Sequence, residues 1–187
     1  ASVIGLPLVP EQKRNPLYTT TYGVGELIID ALDRGVNHFI IGLGGSSTND
    51  GGIGMVQALG VRVDTVDGKA VPLGGVGLER VATITLDHLD PRVADCTFTI
   101  VSDVMNELLG ELGATYVYGR QKGANKAMLQ QLESGMSHYA SILERDVKSG
   151  VVHLEASGAA GGLGVAFRAF LDADIRRGID YVMSLTH

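Results

Sequence analysis

One cysteine, Cys96, stands in a chain of 187 residues. An internal disulfide is excluded, and a single thiol fits a reducing compartment such as the cytoplasm. Cys96 opens an apolar strand-like run, so it reads as buried filler and not as a nucleophile. Long apolar runs are missing as well. Hydrophobic residues make up 45% of the chain, yet no run approaches the roughly 20 residues of a membrane span. The start, Ala1-Ser-Val-Ile-Gly5, lacks the basic region and apolar stretch of a signal peptide. It also lacks Met, as expected of a chain that begins inside a longer protein. Basic charge is scarce: a net charge of −6 with scattered Lys and Arg argues against a nucleic-acid surface. Repeats, low-complexity tracts and charge blocks are absent. The length predicts one domain with an ordinary core.

Glycine is what the chain has in excess: 26 residues, about twice the usual share of ~7%. The glycines gather where predicted strands end and helices begin. Thr19, Thr20 and Thr21 can cap a helix with apolar positions Val24, Leu27, Ile28, Ala31 and Leu32, ending near Gly35. A strand over 37–43 follows, then a glycine-rich loop and a short helix ending at Gly60. Asp67-Gly68 between 61–66 and 69–72 is a hairpin signal. Strands are expected at 81–86 and 97–101, on either side of the Asp90-Pro91 turn. A long helix spans 125–147, with Met128, Leu129, Leu132, Met136, Tyr139 and Leu143 on one face; this stripe is core, not a cofactor box. Two more helices are expected at 160–173 and 179–185. The fold class is α/β with mixed α+β character, not a clean alternation of βαβ units.

The loop Gly42-Leu-Gly-Gly-Ser-Ser-Thr-Asn-Asp-Gly-Gly52 holds the densest chemistry. Its glycines let backbone N–H groups converge, and a following helix N-terminus favours an anion. Gly44, Gly45, Ser46, Ser47 and Thr48 offer donors, and Asn49 an amide that can orient substrate hydroxyls. Asp50 is a candidate base or Mg²⁺ ligand, because a hard cation wants carboxylate oxygen. The plainer alternative makes Asp50 a helix cap. The Gly-Lys-Ser/Thr ending of a Walker A loop is absent. Asp103 follows an apolar strand, where α/β clefts open, and can bind a metal or substrate with Asn106 assisting, or cap a turn. Gln121 and Lys122 form a basic turn that can hold an anion, Lys122 as a point charge. Gly161 and Gly162 permit either an anion nest or close helix packing. Thr21, with Thr20 and Tyr22, is a helix cap or a substrate contact. The five histidines, His38 and His88 among them, show no metal spacing.

The same glycine loop resembles the signature of the bacterial glycerate kinases. Other segments agree in order and spacing: Gly5-Leu-Pro-Leu-Val-Pro10, Asn15 to Leu27, Ser102-Asp-Val-Met-Asn106 with Leu108-Leu-Gly110, Gln121-Lys-Gly-Ala124, and Gly158 to Gly164. The resemblance covers nearly the whole chain. It departs from the family pattern at Glu107 and Arg120, where Pro is usual, and at Glu155-Ala-Ser157, which replaces a Pro-Gly-Ala-Gly lead-in. It implies transfer of the ATP γ-phosphoryl group to D-glycerate, with Mg²⁺. In that reading Asp50, Asp103 and Lys122 are catalytic, and Asp50 and Asp103 hold the metal. Thr21, Gly44, Gly45, Ser46, Ser47, Thr48, Asn49, Gln121, Gly161 and Gly162 bind substrate. The family fold is a two-domain α/β kinase with one domain inserted in the other. Residues 1–187 match mostly the inserted domain, and 1–10 and about 165–187 border its partner. The family's N-terminal Asp-Ser-Phe-Lys-Gly and C-terminal Gly-Glu-Gly and Gly-Lys segments are not in the chain. A cytoplasmic kinase portion, inactive alone, is therefore expected; the alternatives are a non-catalytic module for small anions or carboxylates and a partner-docking domain.

Overall fold

The computed structural model describes residues 2–184; the expected end of the last helix at 185 lies outside them. Strand β1 (His38–Leu43) alternates its side chains, with Phe39, Ile41 and Leu43 turned to the interior. Strand β4 (Thr97–Ser102) does the same with Phe98, Ile100 and Ser102. The two pair in parallel from His38↔Thr97 to Leu43↔Ser102, and Phe39 stacks on Phe98 with ring centroids 4.7 Å apart. Strand β5 (Asp174–Arg176) adds to the far side of β4, giving the order β1-β4-β5.

Strand β2 (Arg62–Asp64) pairs antiparallel with β3 (Thr83–Thr85). The expected Asp67-Gly68 turn forms, with Thr65 N donating to Lys69 O at 2.8 Å. It grows into a short hairpin, with Val71 N donating to Val63 O at 2.8 Å on the far side of the Asp64↔Ala70 bridge, and the longer ladder of β2 is the one with β3. Pro72 supplies no N–H to extend the pairing.

Helix α5 (Ala159–Leu171) packs on β1 and β4, α2 (Ile53–Ala58) packs on α5, and α1 (Tyr22–Asp33) packs on α2. Between them lies a core that includes Ile53, Met55, Ile100, Leu163 and Phe167, each less than 1% exposed. Burying such a side chain stabilises the fold by about 1.5–3 kcal/mol. Helix α3 (Ala114–Tyr118) is short. Helix α4 (Lys126–Asp146) starts at Asn125, whose side chain accepts a hydrogen bond from Met128 N. Its stripe is buried as the spacing predicts, apart from the half-buried Met128. Helix α6 (Gly178–Ser184) closes the described chain. Cys96 corrects an expectation: it lies at the surface end of β4, half-buried, with Sγ donating to Arg92 O.

Candidate functional site

The glycine loop leaves β1 at the C-terminal end of the parallel sheet, the end where open α/β sheets hold ligands. Its far half is bolted down. Asp50 is fully buried, and Oδ2 accepts from Thr21 N (2.8 Å), Thr21 Oγ1 (2.9 Å) and Thr20 Oγ1 (3.3 Å). Oδ1 accepts from Gly52 N at 3.2 Å. Thr21 Oγ1 in turn accepts from Met55 N at 2.9 Å, so one hydroxyl joins α1, the loop and α2. The capping expectation is met at Thr20, whose Oγ1 accepts from Tyr22 N at 3.2 Å, and not at Thr21, whose side chain makes no cap bond to its own helix. Burial pushes the Asp50 carboxyl above its usual range, opposed by these hydrogen bonds. Tyr139 Oη, from the middle of α4, donates to Gly51 O at 3.1 Å. On the near side Ser47 N and Oγ both donate to Ile4 O, and Leu6 N donates to Gly45 O.

The lead-in to α5 forms the floor. Ala160, Gly161 and Gly162 adopt three successive left-handed conformations, with φ of 53°, 71° and 91°. This lets the backbone press directly on the loop. A Cβ at Gly161 would lie 2.0 Å from Thr48 O, and one at Gly162 would lie 2.7 Å from Gly51 Cα. Gly51 N donates to Gly161 O at 3.0 Å. Close packing is thus the visible role of Gly161 and Gly162.

Lys122 sits on the short 3₁₀ turn Arg120–Lys122 that precedes α4. It is 2% exposed, and its side chain makes one hydrogen bond, from Nζ to Thr48 O at 2.7 Å. Burial pulls its pKa down to about 8, with the Asp50 charge opposing. Beside it opens a cavity of about 60 Å³, lined by Gly44, Gly45, Ser46, Val104, Tyr118, Gln121, Lys122 and Ala160. Ser46 is 3% exposed, and its Oγ has no hydrogen-bond partner. Among the described residues, three of the five such buried atoms fall in this loop: Ser46 Oγ, Thr48 Oγ1 and Asn49 Oδ1. Native interiors leave few polar atoms unmet, so their clustering marks a place made for something else to bind.

Five of the residues singled out from sequence, Gly44, Gly45, Ser46, Gln121 and Lys122, therefore meet at one cavity. Ser47 is engaged by Ile4 O, and the Asn49 amide donates to Thr115 Oγ1. Asp103 stands apart, exposed, its Oδ1 accepting from Gly178 N at 2.9 Å and so tying down the start of α6. Asn106 holds Tyr118 in place, accepting from its hydroxyl at 3.0 Å. Sequence reasoning missed Val104, Tyr118 and Ala160 as lining residues. The first two carry no polar pattern, and a non-glycine in the left-handed region leaves no trace in composition. Among the described residues no group of three or more His, Cys, Asp or Glu gathers as if to hold a metal. The Asp50 carboxylate, with four donors on it and no exposure, does not fit a Mg²⁺ ion.

A larger groove of about 820 Å³ runs past the N-terminal end of β4. Its cations, Lys148 and Arg176, are already paired with Asp172 and Asp174. It offers nothing to an anion and lies at the wrong end of the sheet.

A mixed α/β domain with a small, cation-bearing cavity at its strand ends is the class that fold and site define. The particular family is shown by comparison: the chain belongs to the glycerate kinase family, which it matches over residues 1–187. It is 46% identical over 187 residues to the glycerate kinase of Halalkalibacterium halodurans, covering 100% of this chain and 49% of that protein. It is 46% identical over 182 residues to the glycerate 2-kinase of Escherichia coli, covering 97% and 48%. A crystal structure of a protein from Salmonella typhimurium assigned as glycerate kinase 2 superposes with a TM-score of 0.93 at 48% identity, covering 96% of this chain and 48% of that one. The chain thus spans about half the length of the relatives it matches. No helix among the described residues is long and apolar enough to cross a membrane.

Proposed function

We propose that the whole protein transfers the γ-phosphoryl group of ATP to D-glycerate, and that this chain supplies the cavity that binds the acceptor. One observation carries the reading: Lys122 is buried with a single acceptor and faces a cavity that also holds the unpartnered Ser46 Oγ. Relatives named glycerate kinase at 46% identity support the reaction class. A fixed cation in a water-poor cavity neutralises acceptor charge and holds the acceptor in one orientation, and phosphoryl transfer depends on positioning and charge neutralisation of this kind. Asp103, exposed just beyond β4 and bonded only through Oδ1, is the carboxylate that fits a Mg²⁺ ion, which would neutralise phosphate charge there.

On this reading the chain is mostly the inserted domain, with 1–10 and about 165–187 bordering the rest of a cytoplasmic enzyme. The cavity has no room for a nucleotide, so the chain alone binds the anion without turnover. A coupled ADP-release assay tests both statements. The whole protein is expected to release ADP only when D-glycerate is present, and the 187-residue chain to release none. ADP release by the whole protein that ignores D-glycerate removes the reading.

A further inference from the structure

Resting on that reading, we infer that Tyr118 sets the longest acceptor the cavity admits, and that Asn106 holds Tyr118 in the place from which it does so. Of the lining residues, Gly44, Gly45 and Ala160 bring little bulk, and Ser46 and Lys122 are the polar end. Gln121 stands exposed at the rim, where it can swing aside. Val104 and Tyr118 remain as walls, and Tyr118 is the larger.

A wall selects only if it stays put, and Tyr118 is fixed at both ends. At its backbone end Gly119 is wedged: a Cβ there would lie 2.5 Å from both Leu129 Cδ2 and Thr115 O. Gly119 O also accepts from Lys122 N at 3.1 Å and Ala124 N at 3.0 Å. The root of the tyrosine is thereby tied to the turn that carries the lysine. At the far end Tyr118 Oη donates to Asn106 Oδ1 at 3.0 Å. The Asn106 amide has one favoured orientation, because its Nδ2 donates to Leu112 O at 2.7 Å and a carbonyl only accepts. The Tyr118 proton is therefore spent on Asn106. What the side chain offers the cavity is bulk, not a donated hydrogen bond.

Asn106 reaches the other walls too. Its backbone O accepts from Gly158 N at 2.9 Å, and Met105 O accepts from Ala156 N at 3.1 Å. These bonds stitch the turn that carries Val104 to the passage that carries Ala160. One residue thus joins three sides of the cavity without lining it. Asn106 is a positioning residue, acting through Tyr118.

The test uses the whole protein and two acceptors, D-glycerate and D-erythronate, which is longer by one hydroxymethylene unit. The readout is the ratio of their kcat/KM values from coupled ADP release, with calorimetry of both acids beside it. One carbon more or less in a closed pocket is worth roughly 10- to 200-fold, so the wild type is expected to prefer D-glycerate about 100-fold. Tyr118→Ala is expected to bring the ratio within about fivefold, chiefly through a lower KM for D-erythronate, and to leave the KM for ATP within about twofold. Tyr118→Phe keeps the ring and frees its end, and Asn106→Ala does the same from the other side. Each is expected to lower the ratio about fivefold, the worth of one neutral hydrogen bond. Combined, they should do no more than either alone, since both remove the same bond. The phenylalanine variant carries the test if Tyr118→Ala does not fold.

A wild type that accepts both acids equally overturns the inference. So does a ratio that stays at its wild-type value in every variant, even where overall activity falls. Additive effects of Tyr118→Phe and Asn106→Ala remove Asn106 from the role. If the wild type releases no ADP with D-glycerate, the kinase reading falls by itself, and the same ratio read as dissociation constants decides the role of Tyr118. Failure of both acids to bind removes both.

Discussion

The two halves of the glycine loop are built from similar residues and are finished in opposite ways. Both oxygens of Asp50 are met: four donors converge on the carboxylate, and the threonine that supplies two of them is itself tied to α2. Two to four residues toward β1, Thr48 and Ser46 keep buried hydroxyls with no partner, and the Lys122 ammonium has one acceptor. Burial alone does not distinguish an anchor from a binding site. Completion does. A satisfied buried network stiffens the fold, and an unfinished one is costly unless a ligand completes it.

The sharpest way to break this comparison is to remove the anchor. Asp50→Ala leaves Thr20, Thr21 and Gly52 donors unmet and is expected to cost about 4 kcal/mol of stability, read from the urea midpoint. A loss under about 1 kcal/mol would deny the anchor its role. Gly161→Ala comes next. It forces a methyl onto Thr48 O at a φ of 71° and is expected to cost about 3 kcal/mol while displacing Lys122. Acceptor affinity should fall with stability, and unaltered D-glycerate binding would show that Thr48 O does not aim the lysine.

On the open side the sign reverses. Lys122 is depressed from 10.5 to about 8 by burial, so the unfolded chain binds more protons between those values and stability rises with pH across that window. Below about 8 the buried charge opposes folding in full. Lys122→Met is therefore expected to stabilise the protein by about 2 kcal/mol at pH 7, roughly 5 °C in Tm, even after loss of the Thr48 bond. It should also flatten the stability rise between pH 8 and 10.5. A destabilised variant would mean that the cation is a structural element. For the wild type, kcat/KM for D-glycerate should fall about tenfold per pH unit above about 8, where Lys122 of the unliganded protein loses its proton, and a flat profile to pH 10 would contradict a Lys122 cation. The smallest effect is expected at Asp103→Ala, which frees Gly178 N at the start of α6 and costs about 1 kcal/mol, visible as faster amide exchange in 178–184.

Much of this contrast could be read before the fold was known, and the unreadable parts share a cause. The loop 44–50 stood out because glycines, hydroxyls and a carboxylate were crowded into one strand-to-helix passage. The α4 stripe from Leu129 to Leu143 was legible because helical periodicity is local. Strand β5 was not, since Asp174-Ile175-Arg176 is three residues long, and only pairing with β4 makes it a strand. Thr21 looked like a cap because its partner Asp50 is 29 positions away. Cys96 looked interior because its neighbours are apolar, although the strand begins at the surface. Where a residue's role depends on a contact made by folding, composition and spacing are silent.

The contact of 160–162 on 48–51 is made of backbone against backbone. A side-chain contact can drift through paired substitutions, one residue shrinking as its neighbour grows. This one has no side chains to trade, so a change at Gly161 or Gly162 has no partner change that repairs it. Descent should hold both segments nearly still and push variation in acceptor preference onto Val104, Tyr118 and Gln121, the lining positions whose side chains are free to differ.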